Sequence, residues 1–259
     1  MDEELKVLAH KIVDSVARKI KKTSKTDYLK FGNNMGLGAD GTITKYVDKL
    51  AEDTAIRVFN KSKLKVNLLS EELGLLDNGG DYTFVLDPID GTRNAYRGIP
   101  FYSISLAIGK NKLSGVEYGI VKNIPTGDEF IAEKGHGAFF NKSQICVPEI
   151  PDKEPLSSLS LGKNSDKFTR NLASNDYIRS LGSASLEMCM VAFGALDYYV
   201  IGREYIRIID IAASTLILRE AGGVVTNIHG ENLDMDFSLD DRSSIIATCN
   251  LDMVKKIIN

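Results

Sequence analysis

Apolar residues recur at Leu5, Leu8, Ala9, Ile12, Val13, Val16, Ala17 and Ile20 with lysines and Arg18 opposite them, which predicts a helix that buries one face. A second stripe, Val47, Leu50, Ala51, Thr54, Ala55 and Val58, predicts another, with Thr44 placed to cap it. Between them Phe31 to Thr44 carries Gly32, Gly36, Gly38 and Gly41 and reads as a mobile loop. Leu64, Val66 and Leu68 then alternate as a strand that ends at Ser70, Glu71 and Glu72, and the run Tyr82 to Leu86 reads as a buried strand ending at Asp87.

Downstream, Phe101 to Phe140 alternates short apolar runs with turns, the pattern of an antiparallel meander. Pro148, Pro151 and Pro155 crowd together among Glu149, Asp152, Lys153 and Glu154, which places the boundary between two halves at 147 and 148. Residues 1–147 read as an α+β half and 148–259 as an α/β half. In the second, Leu156 to Leu161, Leu196 to Ile201 and Ser244 to Thr248 predict strands; Ser185 to Phe193 and Ile211 to Ala221 predict helices, the latter stopped by Gly222 and Gly223. No internal repeat is visible.

At 259 residues, 43% hydrophobic and 26% charged, the chain is long enough for a sizeable core, and a net charge of -3 lacks the basic balance expected of a nucleic-acid binder. The expected ligand is small. Cys146, Cys189 and Cys249 are isolated and odd in number, so neither a disulfide framework nor a CxxC metal site is expected; they read as buried thiols of a cytoplasmic protein. The charged start and the lack of 18 uninterrupted apolar residues argue against a membrane segment or export signal.

Chemistry concentrates in Asp87 Pro88 Ile89 Asp90 Gly91 Thr92, where a strand is expected to turn through Pro and Gly into a helix starting at Thr92. Such a turn can aim carboxylates and free backbone N–H groups at one point, which suits a cation and a phosphate together. Asp210, just ahead of Ile211 to Leu218, reads by itself as a helix N-cap worth about 1 kcal/mol; Asp48 reads equally as a solvated first-turn acid. Together with Glu71, Asp87 and Asp90, however, Asp210 falls at an element edge where side chains can converge beyond a sheet, and clustered carboxylates repel unless cations neutralise them. An all-oxygen donor set favours Mg²⁺, Mn²⁺ or Ca²⁺, and His10, His136 and His229 are scattered. An EF-hand fails because Gly98 stands where its final Glu belongs, and an aspartyl-phosphate DxD motif fails because Pro88 and Ile89 separate the two acids.

These residues resemble the inositol monophosphatase superfamily, which includes fructose-1,6-bisphosphatases. The resemblance rests on Ser70 Glu71 Glu72 Leu73 Gly74, on Asp87 to Asn94, on Asp210 followed by Glu220 Ala221 Gly222 Gly223, and on Gly182 Ser183 Ala184 Ser185 with Met188 and Cys189; it runs from Lys6 to the end. The chain departs in having Ile209 where the family usually has Trp, and in a longer stretch Ile201 to Arg207 that is most similar to the archaeal dual inositol monophosphatase and fructose-1,6-bisphosphatase type.

The resemblance implies a layered αβαβα sandwich. It implies a hydrolase, a Mg²⁺-dependent phosphomonoesterase of a lithium-sensitive family, acting on inositol monophosphate and on fructose 1,6-bisphosphate through metal-activated water. Glu71, Asp87 and the Ile89 carbonyl would hold one Mg²⁺; Asp87, Asp90 and Asp210 a second; Asp40 a third; Mn²⁺ would substitute. Thr92 and Glu71 would orient the water and Asp48 would take its proton. Gly91 and Thr92 would hold the phosphate, and Gly182, Ser183 and Ala184 would cup the substrate ring. Arg203 or Arg207 would hold a second phosphate, with surface arginines the plain alternative. A cytoplasmic homodimer is implied as well. The alternatives are an enzyme mainly hydrolysing fructose 1,6-bisphosphate in gluconeogenesis and, more distantly, a non-catalytic metal or phosphosugar-binding protein.

Overall fold

The computed structural model describes residues 1–38, 43–149, 154–161, 166–174 and 177–259. In chain order the elements are α1 (Glu3–Thr26), β1 (Asn34–Leu37), β2 (Ile43–Lys45), α2 (Tyr46–Phe59), β3 (Asn67–Ser70), β4 (Gly74–Leu76), β5 (Thr83–Asp90), α3 (Thr92–Arg97), β6 (Ser103–Gly109), β7 (Val116–Asn123), β8 (Glu129–Glu133), β9 (Ala138–Phe140) and β10 (Ser143–Ile145). There follow β11 (Leu156–Leu159), α4 (Lys167–Leu172), β12 (Tyr177–Arg179), α5 (Ala184–Ala192), β13 (Tyr198–Ile206), α6 (Ile208–Glu220), β14 (Val224–Thr226), β15 (Ser243–Thr248) and α7 (Leu251–Ile258).

Strand alternation sorts these elements into layers. An eight-stranded sheet runs β10-β9-β8-β7-β6-β5-β3-β4, antiparallel except for the parallel pair β3 and β5. On β5 and β6, Phe84, Leu86, Ile104, Leu106 and Ile108 point toward the apolar stripes of α1 and α2; their neighbours Val85 and Ala107 point the other way, into a core shared with α5 and α6. That second core is closed by Tyr199, Ile201, Ile245 and Ala247 from a five-stranded sheet, β12-β11-β13-β15-β14. The opposite face of this sheet, Tyr198, Val200 and Ile246, packs on Met253, Val254 and Ile257 of α7. The order is therefore helix, sheet, helix, sheet, helix, as expected. α6 is buried almost all round because it lies between two sheets, which explains why its sequence shows no polar face. Each fully buried Leu or Ile in these cores contributes about 1.5–3 kcal/mol.

The structure corrects several local expectations. The described part of the glycine-rich stretch is a two-stranded antiparallel ribbon, β1 with β2; Asp40 lies outside the described residues. Strand pairing of Leu64 to Ser70 begins only at Asn67, opposite Thr83, so Leu64 and Val66 are outside the strand. β5 does not stop before the acids: it continues through Pro88 to Asp90, with an irregular register between Asp87 and Asp90. Thr44 does not cap α2; Lys45 is the capping position, and the Thr44 hydroxyl donates to Glu72 Oε2. Cys146 is exposed rather than buried, because it lies past the end of β10, whereas Cys189 and Cys249 are buried; all three are free thiols. The sequence pattern does not predict β4, β10, α4, β12, β14 or α7. No described helix is long and apolar enough to cross a membrane.

Candidate active site

Parallel pairing of β3 with β5 aligns Ser70 with Leu86, so Glu71 and Asp87 are the next residues at the same end of two adjacent strands. The bulged continuation of β5 buries Asp87 and Asp90. Ile89 N–H donates to Asp87 Oδ1 at 3.0 Å, which fixes that carboxyl group against its own strand. Gly91 then takes φ 90°, a left-handed turn in which a side chain would press on the Gly182 and Phe101 carbonyls at 3.1 and 3.2 Å. That turn starts α3 and puts Thr92 over the acids.

Thr92 Oγ1 donates to Asp48 Oδ1 at 2.9 Å and stands 3.2 Å from the Ile89 carbonyl oxygen. Asp48 is held from behind: its other oxygen reaches back to accept the Lys45 N–H at 3.0 Å at the start of α2. One helical turn on, Glu52 is also buried, and Oε1 accepts the Ser70 hydroxyl and the N–H groups of Glu72 and Leu73 at 3.2 and 3.0 Å. Glu52 thus gathers the chain on both sides of Glu71.

The remaining acids come from elsewhere. α6 begins at Ile208, three residues before the expected start, because Arg207 is its capping residue and Asp210 occupies the third helical position. Asp210 is therefore no N-cap; its Oδ2 reaches back to accept the Arg207 N–H at 2.9 Å, satisfying one free donor at the start of α6. The Arg207 side chain grips both Asp210 oxygens, Nε to Oδ2 at 3.2 Å and one terminal nitrogen to Oδ1 at 2.9 Å, and its other terminal nitrogen reaches Glu71 Oε1 at 2.6 Å. Asp90 is taken up by the start of α5: Ser183 Oγ and Ser185 N–H reach Oδ2 at 2.7 Å each, the Ser185 hydroxyl donates to the same oxygen, and Ala184 N–H reaches Oδ1 at 3.2 Å. Glu187 of α5 holds that segment in turn, accepting Ser158 Oγ, Leu181 N–H and Gly182 N–H.

These acids are crowded enough to alter one another. Asp87 is held well above the usual carboxylate range, first by burial and then by the charges of Glu71, Asp90 and Asp210. Burial also raises Asp90, against the lowering hydrogen bonds from Ser185 and Ser183. Glu71 is pushed up to about 8 by burial, with Arg207 opposing and Asp210 and Asp48 adding to the rise. Asp48 is pushed up to about 7, again by burial, although Thr92 and the Lys45 N–H favour its charged form. Four mutually repelling, oxygen-only donors are what a hard divalent cation would relieve. The donor set fits such an ion in its chemistry, yet among the described residues no three His, Cys, Asp or Glu side chains already stand in a metal-holding arrangement. Arg207 draws Glu71 and Asp210 to itself, and α5 draws Asp90 toward the other sheet.

Of the site residues expected from sequence, the structure brings together Glu71, Asp87, Ile89, Asp90, Gly91, Thr92, Asp48 and Asp210. Gly182, Ser183 and Ala184 join them from the second half, but the Ser183 hydroxyl and Ala184 N–H are directed at Asp90. Arg207 is bound to Glu71 and Asp210; Arg203 lies over the Tyr205 ring at 4.4 Å. Sequence reasoning missed Glu52 and Glu187. Glu52 had a signal in its four-residue spacing from Asp48, and Glu187 in being the single charge of an otherwise apolar helix.

Comparison with known proteins shows the family and the fold. The model of the inositol monophosphatase family matches residues 1–258. The chain is 40% identical over 241 residues to a fructose-1,6-bisphosphatase/inositol-1-monophosphatase of Methanothermobacter thermautotrophicus, covering 88% of this chain and 86% of that protein. It is 36% identical over 269 residues to a bifunctional NADP phosphatase/NAD kinase of Methanococcus maripaludis, covering 93% of this chain but 47% of that one, so it spans about half of that relative. A solved Pyrococcus horikoshii structure, described as having similarities to inositol-1 monophosphatase, superposes with a TM-score of 0.86 at 32% identity, covering 99% of this chain and 97% of the other.

Proposed function

This chain belongs to the inositol monophosphatase family, and on that premise we propose that it is a Mg²⁺-dependent phosphomonoesterase hydrolysing inositol monophosphate and fructose 1,6-bisphosphate. It is a hydrolase of the phosphatase class, in a family that is generally metal-dependent. The observation that carries the proposal is the Thr92 hydroxyl, poised between Asp48 and the Ile89 carbonyl beside Glu71, Asp87, Asp90 and Asp210.

In this reading Glu71, Asp87 and the Ile89 carbonyl hold one Mg²⁺, Asp87, Asp90 and Asp210 a second, and Asp40 is assigned to a third. Bound there, the cations would neutralise phosphoryl oxygens, acidify a water and stabilise the leaving oxygen. The chain's own residues do the rest. Thr92 Oγ1, hydrogen-bonded to Asp48, orients the attacking water together with Glu71, and Asp48 receives its proton through the Thr92 hydroxyl. The pKa of Asp48, near 7, suits that exchange at neutral pH. Backbone N–H groups of Gly91 and Thr92 cradle the phosphate, and the turn at Gly182 faces the substrate ring. Because Arg207 is held by Glu71 and Asp210, the second phosphate is assigned to Arg203. The division at 147 and 148, a homodimer and a cytoplasmic location complete the reading; light scattering checks the oligomer.

Phosphate release should be measured from inositol 1-phosphate, fructose 1,6-bisphosphate and NADP at one fixed free Mg²⁺ concentration. NADP is included because of the relative from Methanococcus maripaludis. Turnover of either of the first two supports the proposal; Mg²⁺ binding without release from any of the three overturns it in favour of a binding protein.

A further inference from the structure

Arg207 hydrogen-bonds both Glu71 and Asp210, and its grip is complete on one of them. Both Asp210 oxygens accept from its guanidinium, at 3.2 and 2.9 Å, and Oδ2 also accepts its backbone N–H. The third guanidinium nitrogen bridges to Glu71 at 2.6 Å, across 136 residues of sequence. The position is not accidental to a loose side chain. Arg207 is the capping residue of α6, so its backbone is fixed by the same carboxylate that its side chain holds. A planar fork with this span is peculiar to Arg; a Lys ammonium is a single point and cannot hold Asp210 from two nitrogens while reaching Glu71.

We propose that Arg207 shares Glu71 and Asp210 with the divalent cations, and by competing for the two carboxylates sets the affinity of the site for those cations. The inference rests on the metal-site reading given above. A cation entering at Glu71 or at Asp210 meets a fixed positive charge and shares carboxylate groups that the guanidinium already holds. Arg207 also compensates part of the charge of the buried acids, so the folded chain tolerates the cluster at some expense in cation affinity. Arg203 is not an equivalent, since it is turned onto Tyr205.

The test is calorimetric titration of Mg²⁺ alone into the full-length chain stripped with EDTA, with thermal melting in EDTA and in saturating Mg²⁺ alongside. Arg207→Gln should bind Mg²⁺ about tenfold more tightly, equivalent to about 1.4 kcal/mol. It should melt lower in EDTA and gain more from added Mg²⁺ than the parent chain. Arg207→Lys, which keeps the charge and loses the fork, should shift affinity in the same direction by less, and it carries the comparison if the Gln variant does not fold. Unchanged or weaker Mg²⁺ binding in both variants overturns the inference: Arg207 would then orient Asp210 for the cation. Asp87→Asn separates the two failures. If it abolishes binding while the Arg207 variants stay at parental affinity, only the inference fails; if Asp87→Asn binds as the parent does, the site assignment fails and takes the inference with it.

Discussion

Ser185 donates twice to one oxygen of Asp90, from its backbone N–H at 2.7 Å and from its hydroxyl. Asp90 ends a strand of the eight-stranded sheet, and Ser185 begins a helix packed between the two sheets, so this pair ties the principal acidic strand to the second half of the chain. Asp90 has a second tie in the Ser183 hydroxyl, which also contacts Ser103 Oγ at 3.2 Å. The hydroxyls and N–H groups favour the charged form of Asp90 and oppose the burial that raises its pKa.

Asp90→Asn should therefore lower turnover by about a hundredfold or more and weaken Mg²⁺ binding, because it removes a ligand charge and offers an amide NH₂ to a site surrounded by donors. Near-normal turnover at saturating Mg²⁺, with the circular dichroism spectrum unchanged, would count against the two-cation assignment.

Thr92→Val should lose about 10²-fold in kcat with little change in KM, because the hydroxyl that links Asp48 to the water is gone while the phosphate-facing backbone stays. Thr92→Ser, which keeps the hydroxyl, should recover most of the rate. Equal activity in the Val and Ser variants would show that the Asp48 and Thr92 hydrogen bond is structural only.

The raised pKa of Asp48 gives a sign for pH. Its folded value, about 7, lies above the ordinary 3.8, so the fold favours the protonated acid. Through Asp48, stability of the metal-free chain should fall as pH rises from about 4 to 7 and level off above, since the folded state binds more protons in that window. Activity runs the other way, because the proton acceptor must be ionised. A rate that rises with pH toward neutrality, lost in Asp48→Asn together with most of the turnover, is the expected kinetic profile; a pH profile shared by the variant and parent would exclude Asp48 as the acceptor.

Glu52→Gln tests support from behind. Glu52 Oε1 accepts three donors flanking Glu71, and a neutral amide oxygen accepts them more weakly than the charged carboxylate while its NH₂ enters a buried site. A loss of about 1–3 kcal/mol is expected, and for a chain of this size each kcal/mol lowers Tm by about 2–4 °C. Thermal melting in EDTA checks the stability, and a rise in the Mg²⁺ concentration needed for half-maximal rate checks that Glu71 has moved.

Chelation by EDTA should abolish phosphate release, and Mg²⁺ should restore it with a parallel rise in Tm. Release that persists in excess EDTA would remove the metal from the mechanism.

The sequence by itself determined which residue types end which strands. The apolar run Tyr82 to Leu86 requires a buried strand, and the acids that follow the apolar runs, Glu71 and Asp87, were legible for that reason, although β5 itself runs on to Asp90. The helical stripes of α1 and α2 were equally legible, since a period of 3.6 needs no partner to be seen. What only the tertiary structure decided is what each charge meets. Asp48 could be a solvated acid or a buried one until α2 was packed against β5, and Asp210 could be a cap until α6 began at Ile208 with Arg207 as its cap. Burial and long-range pairing are properties of the packed chain: the distance from Arg207 to Glu71 is set by how two sheets sandwich α5 and α6, and no local pattern encodes it.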